Sequence, residues 1–290
     1  MSKFILGTVS NGWSALLAES SLAEQCRRAV ELGFGYVELR QRALGAGEEQ
    51  VAGDERPWPI PAALAELRAE FPQLGFNLAV EAPFQTTTIA ANDAYLQRCA
   101  EAAVALGGDP PVLRLVDISP APALLDAEAV DRLGASIAAL TQRLWNQGVA
   151  LALENSRQPV SVVRALIERA AVSLPTETPT PRICWDAHNQ LTQRLRVEDP
   201  VETARIVGVE ELFEFHFKQS HARELLPDVV GEGDIDWHAI LQSLHDRGYS
   251  GPALFELPPS EDIWDRLQRS TAYVRDLIHR VETAGEPALS

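Results

Sequence analysis

The sequence predicts an α/β fold, a closed (β/α)8 barrel of the TIM type, and three observations predict it. Short apolar runs alternate with amphipathic stretches along the whole chain. There are eight such runs, each about 30–40 residues from the next. That spacing leaves room for a crossover helix between parallel strands. The length of 290 residues suits one barrel, a fold that typically takes about 250. An open doubly wound sheet is the competing arrangement. It would want a glycine-rich phosphate turn after the first strand, and Gly7-Thr8-Val9-Ser10-Asn11-Gly12 is not GxGxxG. Residues 1–290 are therefore read as a single domain, with the tail 284–290 expected to fray.

The elements follow in order. The first run, Phe4–Gly7, precedes a helix over Leu22–Leu32. Tyr36–Arg40 leads through a polar, Gly/Pro-punctuated loop (Gly45–Pro61) to a helix over Ala62–Phe71. Phe76–Glu81 is followed by the helix Ala91–Leu106, Val112–Val116 by Ala127–Asn146, and Val149–Glu154 by Val160–Ala171. After an exposed, proline-rich connector (Ser173–Pro181) come Arg182–Asp186 and the helix Val201–Val207. Phe213–Lys218 with Trp237–Asp246, and Pro252–Glu256 with Ile263–Val281, complete eight units. Glycines such as Gly33, Gly148 and Gly248 stand where helices must stop, because glycine tolerates the left-handed conformation there.

Composition narrows the function. The net charge of -16 repels nucleic acid and anionic membrane surfaces and points to a small-molecule substrate. No apolar run approaches the roughly 20 residues that span a bilayer. The N-terminus lacks the apolar region and cleavage site of a signal peptide, so a cytoplasmic location is expected. Three cysteines, far apart and without CxxC, argue against a disulfide framework or zinc ribbon.

Active sites of such barrels lie at the C-terminal ends of the strands. The runs end on Glu38 and Arg40, Glu81, Arg114 with Asp117 beyond, Glu154, Asp186 with His188 and Asn189, His216 with Lys218, and Glu256. A carboxylate at one strand end commonly meets solvent or caps a helix. Four groups, Glu154, Asp186, His216 and Glu256, are different: they fall at spacings of 32, 30 and 40 residues, one per consecutive unit. Neighbouring strands bring them to one point. Three crowded carboxylates repel, and a divalent cation removes the repulsion. Three oxygens and one imidazole suit Mn2+, Mg2+ or Co2+, and also Zn2+.

The motifs "LALEN", "CWDAHN", "FHFKQS", "GEGDIDW" and "GYSGPALFE" resemble the xylose isomerase-like superfamily of sugar-phosphate isomerases and epimerases. The likeness runs from "GYVELR" to the last strand, and its specific motifs lie in the second half. It implies a TIM barrel with one divalent metal, Mn2+ foremost, held by Glu154, Asp186, His216 and Glu256. It also implies that Glu154 and Glu256 face each other across the substrate as proton-transfer groups. A metal that polarises a carbonyl and its neighbouring hydroxyl acidifies the carbon-bound proton between them, which one carboxylate removes while the other returns one.

Several positions depart from the family pattern. Asn189 stands where the family's Asp-x-x-His would place a substrate-contacting histidine. His188, one place earlier, either touches substrate or bonds to loop backbone. Glu81 replaces a common third-strand histidine, which argues against the endonuclease branch. It is expected to bind a sugar hydroxyl or to pair with Arg114 or Arg40, and Arg114 itself is counted among the substrate-side groups. Lys218 is retained from the family's HxKD. It would neutralise a substrate anion or a developing oxyanion, unless it pairs with Glu232 or Glu256. Arg223, in the next loop, is an anion-binding candidate. Trp13 is a candidate for stacking on a sugar, although tryptophan more often packs. Asp236 is expected to cap its helix.

The leading expectation is a metal-dependent isomerase or epimerase of a sugar, sugar phosphate or polyol, in carbohydrate metabolism. A dehydratase or lyase on the same metal site is the alternative, and a non-catalytic metal- and ligand-binding barrel a third. Similar barrels are commonly dimers or tetramers, so a homo-oligomer is compatible with the resemblance.

Overall fold

Phe213-Glu214-Phe215-His216-Phe217-Lys218 alternates aromatic and polar residues with the period of a β-strand. In the computed structural model, which describes residues 3–120, 123–192, 197–222, 224–225 and 229–284, this segment is a barrel strand. Two of its phenylalanines pack outward: Phe215 meets Trp185 and Tyr249, and Phe217 meets Trp237 and Phe255. Glu214 and His216 lie on the other face, fully buried inside the barrel. Phe213, at a bulge in the pairing with Arg182–Asp186, turns inward against Tyr36, Val112 and Ala152.

The eight barrel strands are β1 (Lys3–Val9), β2 (Tyr36–Arg40), β3 (Gly75–Glu81), β4 (Val112–Val116), β5 (Ala150–Glu154), β6 (Arg182–Asp186), β7 (Leu212–Phe217) and β8 (Ser250–Phe255). Each pairs in parallel with its sequence neighbours, and β1 pairs with both β2 and β8, which closes the barrel. The helices between them are α1 (Leu22–Glu31), α2 (Pro61–Glu70), α3 (Ala94–Leu106), α4 (Ala127–Trp145), α5 (Val160–Ala171), α6 (Pro200–Ile206), α7 (Trp237–Asp246) and α8 (Ile263–Ala284). Eight strand-helix units thus appear where the apolar runs put them.

Differences are local. Helix α3 starts at Ala94, three residues later than expected, because the Asp93 side chain caps it by accepting the Leu96 amide. The Gly45–Pro61 loop contains a small antiparallel ribbon, Glu48–Gln50 against Pro57–Pro59. A short helix, Ala187–Thr192, begins directly after β6. Asp236 caps α7 through the Ala239 amide, as its position predicts. Of the expected frayed tail, residues 285–290 lie outside the described residues. No helix among the described residues is long and apolar enough to cross a membrane.

Register sets the depth of each inward side chain. Asp186 pairs with His216, and two residues lower Cys184 pairs with Glu214. Arg114 pairs with Ala152, one inward step below Glu154. Glu38 pairs with Asn77. The inward polar residues therefore fall into two layers, one at the C-terminal mouth and one beneath it.

Candidate metal centre and active site

Glu154 ends β5, Asp186 ends β6, His216 lies near the end of β7, and Glu256 directly follows β8. One ligand atom from each lies within 4.8 Å of the others. All four residues are buried. Asp186 Oδ2, Glu256 Oε2 and His216 Nδ1 are buried without a hydrogen-bond partner in good geometry, although Glu256 Oε2 and His216 Nδ1 are only 2.8 Å apart. Three carboxylates and an imidazole whose ligand atoms converge in this way fit a divalent cation.

The rest of the mouth holds these ligands in place. Asn155 locks the end of β6 from both sides: its amide donates to the Asp186 carbonyl at 2.9 Å, and its Oδ1 accepts the Asp186 N–H at 2.7 Å. The Asn189 side-chain amide donates to Glu154 Oε1 at 2.9 Å, and its backbone N–H donates to Asp186 Oδ1 at 2.9 Å. Asn11 donates to Glu256 Oε1 at 3.2 Å. Lys218 Nζ lies 2.5 Å from Asp186 Oδ2 and 2.8 Å from Glu256 Oε2. Burial alone would lower the Lys218 pKa, but Asp186 and Glu256 carry it above the ordinary value, so the ammonium stays charged. His188 is buried beside the site with Nδ1 unpartnered. Burial depresses its pKa, which favours the neutral imidazole.

The two opposed glutamates are electrostatically unequal. Burial pushes Glu154 up, and the negative charge of Glu256 adds to that push against the opposing pull of Arg114. Burial also pushes Glu256 up, but Lys218 and His216 outweigh it and hold this carboxyl well below the usual range. Of the two, Glu154 holds a proton more readily.

Beneath the mouth, Arg114 forms short ion pairs with Glu38 and with Glu154 Oε2. Its Nε donates to Glu38 Oε2 at 2.9 Å, as does the Asn77 amide at 2.8 Å. Burial would raise the Glu38 pKa, but Arg114 brings it down to about 2. Glu214, 3.8 Å from Arg114 Nε, has its pKa pushed well up, first by burial and then by Glu38, and is held neutral.

Two sequence-based expectations change here, those for Arg114 and Trp13, and those for Glu81 and Lys218 resolve among their alternatives. Arg114 is completely buried and saturated by glutamates, so it supports Glu154 from below and does not meet substrate. Trp13 is also completely buried, stacked on Trp264 with ring centroids 5.5 Å apart, and offers no face to a sugar. Glu81 pairs with Arg40 and Arg42, at 3.5 Å each, and Arg114 is not among its partners. Glu232 pairs with Arg269, which leaves Glu256 and Asp186 as the partners of Lys218. Arg223 lies outside the described residues. Asn155, Asn11 and Glu214 were not singled out from sequence, and Glu38 was named only as a strand end. The alternation of "FEFHFK" carried the signal for Glu214, since it shares the face of His216.

A model of the xylose isomerase-like TIM barrel family matches residues 26–274. The chain belongs to this family. Among solved structures, this xylose isomerase-like barrel is similar to an L-ribulose 3-epimerase, with TM-score 0.73 and 17% identity over 100% of both chains. It is similar to a D-allulose 3-epimerase from Methylomonas sp., with TM-score 0.69 and 16% identity over 96% of this chain and 99% of that one. A xylose isomerase domain protein from Alicyclobacillus acidocaldarius subsp. acidocaldarius gives TM-score 0.64 and 17% identity over 97% and 100%. The sequence matches none of the curated proteins with which it was compared.

Proposed function

We propose that this xylose isomerase-like barrel is a divalent-metal-dependent epimerase or isomerase of a ketose or related sugar. The observation that carries the reading is the convergence of Glu154, Asp186, His216 and Glu256 at the barrel mouth, with Glu154 and Glu256 in unequal environments. That several structures of the same fold are described as ketose 3-epimerases supports this choice over others on the same scaffold.

When bound, a divalent cation supplies Lewis acidity to a substrate carbonyl and its neighbouring hydroxyl. The remaining work falls to the side chains. Glu256, the stronger acid and so the resident carboxylate, takes the carbon-bound proton on one face. Glu154, which keeps a proton more readily, returns one on the other face. Asn189 and Arg114 fix the orientation of Glu154, and Asn11 fixes that of Glu256. A cation adds to the pull on both carboxylates, so the division of roles rests on the difference between them. Lys218 stands beside Asp186 and Glu256, placed to hold negative charge that develops on substrate oxygen.

Metal analysis of the purified protein, followed by a ketose panel in deuterated water, tests the reading. The expected result is one divalent ion per chain and deuterium at the carbon next to the carbonyl, in a product of unchanged atomic composition. A product short of one water assigns the site to the dehydratases instead. Metal binding without deuterium exchange into any ketose leaves only a ligand-binding barrel.

A further inference from the structure

Arg40, the last residue of β2, has a role that the ion pairs of the barrel leave open. Its side chain is only 12% exposed, and its field reaches Glu154 and Glu256 at the metal centre. A guanidinium has five N–H donors and normally meets a carboxylate through two parallel bonds. Here Nη2 makes one long contact of 3.5 Å to Glu81, and Nη1 is buried with no acceptor at all. The adjacent residue, Gln41, shows the same imbalance: its Oε1 accepts the Glu81 N–H at 2.8 Å, while its Nε2 is buried and unpartnered. Two buried donors beside Glu81 thus wait for oxygen. A buried cationic donor left unbonded is costly, and an acceptor removes that cost.

The ion pairs point the same way. Glu81 lies 3.5 Å from both Arg40 and Arg42, so Arg40 shares the carboxylate it pairs with. Arg42 is half exposed and also meets the Glu48 carboxylate through its backbone N–H, whereas Arg40 is the buried member of the two.

We infer that the substrate carries an anionic group and that Arg40 selects it by donating to that group's oxygens. The inference rests on the metal-centred reading of the mouth and names the substrate class for it: a sugar acid or a sugar phosphate, in preference to a neutral sugar. Carboxylate and phosphate present the same acceptor chemistry to a guanidinium.

Three six-carbon polyols separate the cases: D-gluconate, D-glucitol and D-glucitol 6-phosphate, titrated calorimetrically into the Mn2+-loaded protein. At least one anion is expected to bind about 10–100-fold more tightly than glucitol, the size of a charge-assisted hydrogen bond. Gluconate preferred over the phosphate assigns a carboxylate, and the reverse assigns a phosphate. Arg40→Met should remove the preference, and Arg40→Lys should keep part of it, while both bind Mn2+ as the parent does. Equal affinity for the three polyols in the parent protein, or no binding of any at millimolar concentration, overturns the inference whatever the variants do. So does an unchanged preference in Arg40→Met. The Mn2+ titration of the parent and of Asp186→Asn judges the metal reading separately: one-to-one binding lost in Asp186→Asn sustains it even if the polyols are not distinguished, and no Mn2+ binding by the parent overturns it.

Discussion

Two charged clusters sit one above the other in the same barrel, and they have opposite characters. The interior cluster, Glu38, Asn77, Arg114 and Glu214, reaches the mouth through the Arg114–Glu154 pair. Arg114 and Asn77 donate to Glu38, and burial keeps Glu214 neutral, so this layer is matched in charge, although Asn77 Oδ1 and Glu214 Oε2 have no hydrogen-bond partner. The mouth cluster, Glu154, Asp186, His216 and Glu256, is unmatched. It gathers three carboxylates, two of which, Asp186 and Glu256, share the single ammonium of Lys218. The contrast teaches that a charged residue at a strand end is not by itself a sign of chemistry. What distinguishes a site from a buried support is whether the partners already present satisfy the charge.

The largest expected effect separates the clusters by activity. Glu256→Gln should lower turnover of the accepted ketose by about 10^4-fold, roughly 5 kcal/mol in barrier, while circular dichroism stays unchanged. A rate within tenfold of the parent would remove Glu256 from the proton transfer. Next comes stability. Arg114→Met strands Glu38 and Glu154 as buried unpaired carboxylates and should cost about 3–5 kcal/mol in urea unfolding. An unchanged midpoint would mean that the interior layer is not the support described.

Metal addition works from the other cluster. Mn2+ at about 100 times its dissociation constant should stabilise the parent by about 2.7 kcal/mol. The gain should vanish in Asp186→Asn, as thermal melts with and without the ion would register. The smallest effect falls on Glu214. A neutral carboxylic acid is closely mimicked by an amide, so Glu214→Gln should change stability by about 1 kcal/mol or less. A loss as large as that of Arg114→Met would show Glu214 to be ionised and the interior layer to be unmatched after all.

Much of the fold was legible in the chain, for a local reason. Period-two runs such as "FEFHFK" and period-3.6 stretches such as α4 declare their type without help from the rest of the molecule. The convergence of Glu154, Asp186, His216 and Glu256 was legible because these residues close consecutive units, 30 to 40 residues apart. Helix starts were less so: the boundary of α3 depended on which polar residue, Asp93, turned its side chain back to cap. Trp13 shows a limit of another kind. An aromatic residue in a βα loop is equally suited to cover a sugar or a core, and only the position of Trp264, on the last helix, decides for the core.

The sequence by itself determined the number of strand-helix units, the membership of the cluster Glu154, Asp186, His216 and Glu256, and a net charge of -16. Only the tertiary structure decided the depth of each inward charge. Arg40 and Arg114 are both arginines on barrel strands. One reaches the mouth with a free donor, and the other is locked one layer down between glutamates. The physical reason is the register of parallel strands. Alternation within a strand fixes which face a side chain takes. How far along the barrel axis it sits depends on the stagger against neighbours contributed by distant parts of the chain.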